Sequence, residues 1–461
     1  MPGVGIGSCV AFGGGGQFRP PSVPGNILWL RADMGITLNG ADVAGWADQS
    51  GNGNDAAQGV AADQPAFEAA GGPNGTPCVT FDAANTEFLD LGAMTDASHD
   101  YTVFAVLNQT ATAGTQTLLG SAAAQLLAAA HTATLAANDS TAWRDVVAAK
   151  TGEQIATWRL DATGTAVEIC RDGTKLGSGT YDATWAWAAP ELGKTPGGAD
   201  HLDAKVAEVI VYNRKLSDAE VALVHAYLST RYAITFSPLS VANCGAWWDL
   251  DHATVAGGVL TAITDRALGA ALTVSGTPAV VSVGGQDFVR FDGVDDTIAT
   301  PHAAALSGTN GVSFVAKYAN CLPNPIAGTR MYMCKGHAAG GMNGGLTCNA
   351  AAAGRFTVQG QGGAANALGP LAEYTSPAET VAAAFDLAAA VRRVDGDGTY
   401  ATNATAATGV AGLGKLSWGA WDNNAGGWVW PAAYDCRASV YYARPLNQYE
   451  LEAVRDYLEA A

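Results

Sequence analysis

A chain of 461 residues, 48% apolar and only 14% charged, can bury two full cores but cannot clothe many exposed helices, whose outer faces need Lys, Glu and Arg. Its 24 basic and 42 acidic residues leave a net charge of −18, which repels phosphate backbones and argues against nucleic acid as a partner. Eight cysteines over this length are too sparse for a disulfide framework, and no C-x-x-C pair suggests zinc.

In chain order, residues 1–25 form a Gly- and Pro-rich lead without a basic n-region or an unbroken apolar core. The expectation is a docking or assembly arm, not an export signal. No run of about 18 apolar residues follows, so membrane insertion is not expected. Asn26 to Asp33, Pro77 to Phe81, Tyr101 to Leu107, Val167 to Cys170 and Val206 to Tyr212 read as strands, punctuated by Gly and Asn clusters. Cys78 and Cys170 fall inside such runs and read as small buried apolar groups. The Ala-rich stretch from Ala111 to Ala137 admits a helix, but its Thr content and its neighbours favour strands. Ser217 begins a helix as N-cap, with Glu220 completing a capping box and Val221, Val224, Leu228 and Tyr232 on one face.

The same landmarks then return in the same order. Gly245-Ala246-Trp247-Trp248-Asp249 answers the opening strand, Val289-Arg290-Phe291-Asp292 answers Val79-Thr80-Phe81-Asp82, and Ala438 to Glu450 answers Glu208 to Glu220. Asn447 is the second helix N-cap, followed by Leu451, Val454 and Leu458 on one face. Phe18-Arg19-Pro20-Pro21 before the first copy resembles Phe236-Ser237-Pro238-Leu239 before the second. The expected organisation is an arm over 1–25 and two copies of one domain over 26–236 and 237–461.

Leu28-Trp29-Leu30-Arg31-Ala32-Asp33, the loop from Trp46 to Gly53, Val79-Thr80-Phe81-Asp82 and the closing Val211 to Glu220 together resemble the LamG-like (concanavalin A-like lectin/glucanase) jelly-roll family. The second copy keeps the strand and helix motifs but lacks the Ser-Gly-Asn-Gly of residues 50–53. The resemblance implies an all-β chain of two tandem jelly-roll sandwiches, each closed by a C-terminal helix. It also implies ligand sites on a concave face or loop rim, with calcium in some members. Lectins, adhesive modules and hydrolases share this fold, so function has to be argued from sites.

Catalytic patterns are missing. No Glu-x-Asp-x-(x)-Glu strand offers the paired carboxylates of a retaining glucanase, and no Gly-x-Ser-x-Gly elbow offers a nucleophile. Gly193-Lys194-Thr195 has the tail of a phosphate loop, but Ala188 stands where the first Gly belongs. Asp48, Ser50, Asn52 and Asn54 place side-chain oxygens at alternate positions, as a calcium loop does, though the same residues also build an Asx-type turn. Asp292, Asp295 and Asp296 form a second acidic group, and Asp395 with Asp397 a third; both fit solvated turns. Trp29, Trp46 and Trp248 lie in the repeated motifs and read as core. Trp185 with Trp187, and Trp428 with Trp430, each share one strand face and are candidates for stacking on sugar rings, with burial in the core as the competing reading.

These observations predict a non-catalytic structural or adhesion protein of a bacteriophage virion: a tail fibre, tail tip or capsid decoration made in the host cytoplasm. It would display carbohydrate-binding modules to host-surface polysaccharide, dock on other virion subunits through residues 1–25, and form a homo-oligomer. The alternative is a secreted bacterial carbohydrate-binding or adhesive protein, which needs an export signal.

Overall fold

The computed structural model describes residues 18–94, 99–122, 125–139, 142–162, 164–181, 187, 189–198, 200–301, 311–319, 329–337, 342–349, 355–359, 367–368, 379–386, 391–396, 399–403, 414–418, 421–422, 428–429 and 433–460. Two compact units emerge: residues 1–173 with 178–235, and residues 236–461 with 174–177.

The strands of the first half begin with β1 (Asn26–Arg31), β2 (Ile36–Asn39), β3 (Asp42–Trp46), β4 (Ala56–Ala57), β5 (Ala66–Glu68) and β6 (Cys78–Phe81). They continue with β7 (Leu89–Leu91), β8 (Tyr101–Gln109), β9 (Gln116–Ala122), β10 (Gln125–His131), β11 (Thr134–Asp139) and β12 (Trp143–Ala148). The last are β13 (Gly152–Asp161), β14 (Ala166–Arg171), β15 (Thr174–Thr180), β16 (Glu191–Leu192) and β17 (Ala204–Tyr212), before helix α1 (Asp218–Tyr232). The Ala-rich stretch is therefore strands, as its Thr content favours.

Strand β17 lies between β8 on one side and β1 and β6 on the other, and β13 and β14 extend this sheet beyond β8. A second layer runs β7, β16, β9, β10, β11, β12. All of these pairings are antiparallel. The Trp158 indole on β13 donates to the Ala136 carbonyl on β11 at 3.1 Å, tying one layer to the other.

Strand β8 is apolar throughout because both its faces are covered. Phe104 and Val106 pack with Val221, Val224, Leu228 and Tyr232 of α1, while Val103, Ala105 and Leu107 are buried from the opposite face. Each apolar helix side chain so buried stabilises the unit by about 1.5–3 kcal/mol. The helix starts where the sequence places it: Glu220 Oε2 accepts from the Ser217 amide at 2.9 Å, and Ser217 Oγ accepts from the Glu220 amide at 3.4 Å.

The second half contains β18 (Cys244–Asp249), β19 (Ala253–Ala256), β20 (Val259–Ile263), β21 (Thr273–Ser275), β22 (Ala279–Val283), β23 (Gln286–Asp292) and β24 (Thr297–Ala299). Next come β25 (Gly311–Ala319), β26 (Thr329–His337), β27 (Met342–Asn349), β28 (Arg355–Gln359), β29 (Ala367–Leu368), β30 (Glu379–Asp386), β31 (Val391–Gly396) and β32 (Thr399–Asn403). The chain closes with β33 (Gly414–Trp418), β34 (Trp421–Asp422), β35 (Trp428–Val429), β36 (Ala433–Tyr442) and α2 (Gln448–Ala460). Here β36 lies between β25 and the pair β18 and β23, with β30, β31 and β32 beyond β25. A further sheet runs β21, β24, β33, β26, β27, β28, β29. The pairing order around β36 is thus the order around β17.

One expectation changes. Residues 18–25 belong to the folded first unit and not to an arm: Pro20–Ser22 form a 3-10 turn, Val23 is buried, and the Tyr212 hydroxyl donates to the Pro20 carbonyl at 3.0 Å. Phe18 packs on Tyr227 of α1 with ring centroids 5.7 Å apart. The second unit repeats this entry, with Tyr442 donating to Pro238 at 2.9 Å and Phe236 against Tyr457 at 6.2 Å. Residues 1–17 of the expected arm lie outside the described residues.

Candidate functional site

Asp48, Ser50, Asn52 and Asn54 do come together, but as a clasp on β1. Asp48 Oδ1 accepts from the amides of Trp29 (2.9 Å) and Ser50 (2.8 Å), and Oδ2 accepts from Ser50 Oγ (2.6 Å) and the Asn54 amide (3.1 Å). The Asn52 side-chain amide donates to the Asn26 carbonyl, and that of Asn54 to the Ile27 carbonyl. A cation needs oxygens facing one point, whereas both Asp48 oxygens face donor hydrogens. What the loop does in this geometry is satisfy the backbone where β1 leaves its ladder.

Of the four tryptophans proposed for sugar stacking, Trp187 is completely buried, with its ring edge-on to Tyr101 at 5.5 Å. That placement corrects the expectation: a ring without solvent exposure is core. Trp185 and Trp430 lie outside the described residues, as does the side chain of Trp428. Asp397 and the side chain of Asp395 also fall outside them. Trp29, Trp46 and Trp248 are buried, as expected.

Asp292, Asp295 and Asp296 gather at the turn after β23, with ligand atoms within 4.8 Å of one another. Asp292 accepts from the amides of Val294 and Asp295, and Asp296 from those of Thr277 and Asp292. The corresponding turn of the first unit has Asp82, Asn85 and Glu87, where the Asn85 amide donates to both carboxylates at 3.4 and 3.3 Å. Both turns use carboxylates to hold backbone amides.

The arrangement that sequence reasoning missed is a cross-strand row. Glu191 on β16 stands opposite Asp90 on β7, and Leu192 opposite Leu89. The leucines are buried, so both carboxylates occupy the other face of that layer; Asp90 is exposed and Glu191 half-buried. Lys194 Nζ lies 3.6 Å from Glu191 Oε2 and 3.8 Å above the ring of Phe88. Burial, reinforced by Asp90, pushes the Glu191 carboxyl above its ordinary range although Lys194 pulls it down. Gly193 makes this turn possible, with φ at +92° and a position where a Cβ would lie 2.5 Å from the Phe81 ring. The Gly193-Lys194-Thr195 segment thus sits in a turn after a strand, with no helix following it. An exposed carboxylate at Asp90, a mostly covered carboxylate and ammonium at Glu191 and Lys194, and the Phe88 ring meet here, and groups of these kinds bind sugar hydroxyls and the apolar face of a sugar ring.

A separate polar cluster sits under α1. The Glu208 carboxylate is fully buried and accepts from Trp29 Nε1 (2.6 Å), Tyr227 OH (2.9 Å) and Tyr232 OH (2.7 Å). Burial nevertheless raises its carboxyl above the ordinary range.

No curated protein matches this chain. Among solved structures, domain 4 of AbnA, a GH43 extracellular arabinanase from Geobacillus stearothermophilus, is 16% identical, with a TM-score of 0.33, covering 43% of this chain and 98% of that one. The CBM40 of Ruminococcus gnavus IT-sialidase is 15% identical, covering 33% and 86%, with a TM-score of 0.27. Trypanosoma rangeli sialidase is 11% identical, covering 68% of this chain and 52% of the sialidase, with a TM-score of 0.33. Residues 85–222, from the end of the Asp82 turn into α1, match the family model described as the concanavalin A-like lectin/glucanases superfamily, so the first unit of this all-β chain carries a domain of that superfamily.

Proposed function

We propose that this chain is a non-catalytic glycan-binding protein of two tandem jelly-roll modules, displayed on the surface of a bacteriophage particle. The observation that carries the glycan-binding reading is the superfamily match over 85–222, because that span contains the Asp90, Glu191, Lys194 and Phe88 row. Carboxylates fixed on neighbouring strands accept paired hydrogen bonds from adjacent sugar hydroxyls, while Lys194 donates and Phe88 supplies an apolar floor. The virion setting is supported by the low charged content, the recurrence of one set of motifs and the Gly-rich composition of residues 1–17.

The test has two arms. Quantitative mass spectrometry of purified particles should find the chain at a fixed copy number. Surface polysaccharide of the host should bind the isolated chain, and Asp90→Ala with Glu191→Gln should lose about tenfold or more in affinity. A chain found only in culture medium would move the setting to the secreted alternative, and a double variant that binds like the parent would remove this row from the site.

A further inference from the structure

Beneath the last turn of α2, the second unit inverts the chemistry that Glu208 supplies in the first. Glu208 lies next to Val106 across the β17–β8 ladder, and Ala438 lies next to Lys317 across the β36–β25 ladder. Trp29 stands across from Ile210, two residues along from Glu208, and Trp247 stands across from Val440, two along from Ala438. The pair (Val106, Glu208) has thus become (Lys317, Ala438), under an indole in each case.

The consequences are visible in the hydrogen bonds. Trp29 gives its indole N–H to Glu208, whereas Trp247 Nε1 is buried with no hydrogen-bond partner among the described residues. Trp247 is 0% exposed and Lys317 4%, and Lys317 Nζ donates to the Glu459 carbonyl in the last turn of α2 at 3.1 Å. Burial first, and then the neighbouring Arg437 guanidinium, lower the Lys317 ammonium below its ordinary range. Arg437 itself is held by Asp251 at 3.2 Å, and Arg266, 3.6 Å above the Trp247 ring, by Asp249 at 2.6 Å. The Glu459 carboxylate is the one acidic group among the influences on Lys317, and its side chain is half-exposed. The buried Trp247 N–H meets no acceptor among the described residues, and the buried Lys317 ammonium, already bonded to the Glu459 carbonyl, has further N–H groups to give on the same side of the sheet.

We infer that the second unit binds a small monocarboxylate at Trp247 Nε1 and Lys317 Nζ, beneath the C-terminal turn of α2. Acetate has the right atoms. An Ala438 Cβ followed by a methyl and a carboxylate reproduces the heavy atoms of a glutamate side chain, with one covalent bond missing. The ligand therefore takes the place that Glu208 fills from within the first unit, and Lys317 supplies charge that the first unit does not need.

Fluorotryptophan NMR of the full chain, with the Trp247 resonance assigned from Trp247→Phe, tests this under titration with sodium acetate against sodium chloride at matched ionic strength. The expected result is a saturable shift of the Trp247 resonance with acetate alone. Ala438→Glu should begin at the shifted position and stop responding, and Lys317→Val should weaken the response by about tenfold. The inference is overturned if acetate moves Trp247 no more than chloride does, or if Ala438→Glu responds like the parent. Should Ala438→Glu fail to fold, the parent titration and Lys317→Val decide alone.

Discussion

In the first unit Asp48 holds the amides of Trp29 and Ser50 with Oδ1, and Ser50 Oγ and the Asn54 amide with Oδ2; in the second, Asp265 Oδ1 holds the Trp247 amide at 3.1 Å together with the amides of Ala267 and Leu268, and its Oδ2 meets no donor among the described residues. Two bonds are common to both: the one that pins the first strand, and the one from the amide two residues on, Ser50 or Ala267, each at 2.8 Å. Beyond them the two carboxylates differ, so the strand anchor and its short turn belong to the fold and the bonds to Ser50 Oγ and the Asn54 amide to the first unit alone. The closing helix follows the same rule. Arg214 and Glu220 pair at 2.6 Å in the first unit, Arg444 and Glu450 at 2.6 Å in the second, but the second pair is far better buried.

The largest effect should come from Glu208→Ala, which strands an indole and two phenols in the core and should destabilise the first unit by about 3–5 kcal/mol. Chemical denaturation of the full chain, read by a probe in each unit, checks this; an unchanged first transition would show the cage to be dispensable. Next, Glu450→Ala should cost about 2–4 kcal/mol because it leaves Arg444 without its buried partner, while Glu220→Ala should cost about 1 kcal/mol at its more open site. Equal losses would break the comparison.

Asp48→Asn and Asp265→Asn sharpen the anchor. In Asp48→Asn one oxygen becomes an amide facing N–H or O–H donors, for a loss of about 1–3 kcal/mol. In Asp265→Asn the amide can take the unpartnered side and a buried charge disappears, so the melting temperature should hold or rise. The pH dependence of the first unit has its own marker in His225, which is buried against Phe104 and Thr157 and whose pKa burial lowers from 6.5 to about 4. A base with a depressed folded pKa binds its proton more readily when unfolded. Its contribution is therefore intact above pH 6.5 and is lost as pH falls toward 4. His225→Gln should flatten that decline in a series of thermal melts; an unaltered slope would assign the decline to other groups. Calcium should give the smallest effect, leaving the first transition where it is, because Asp48 already accepts four donors.

Much of this architecture was legible along the chain. Capping boxes and helix faces are local patterns, so Ser217, Glu220, Asn447 and Glu450 could be assigned from spacing alone, and the structure places them accordingly. The motif repeat read along the chain is off by one in register at the opening strand. Aligning Trp29 with Trp248 looks natural in sequence; ladder partners and the Asp265 bond make Trp247 the counterpart, while Trp248 points to the opposite face and packs edge-on to Trp418 at 5.7 Å. A slip of one residue exchanges the two faces of a strand, and only the neighbouring strand settles it. The Asp90 and Glu191 row was illegible for a related reason. Its members lie on strands far apart in sequence, and the dipeptide strand that carries Glu191 is too short to show any alternation. The Glu208 cage was hidden because an acid in an apolar strand gives no sign of which distant hydroxyls will meet it.

The account rests most directly on whether the chain binds glycan and leaves it intact. The deciding measurement is calorimetric titration of the full chain with purified oligosaccharides chosen by a glycan array, followed by chromatography of the recovered sugar. The account predicts saturable binding that Asp90→Ala with Glu191→Gln removes, and sugar recovered at its original length. Shortened products, or no glycan retained at all, would contradict it.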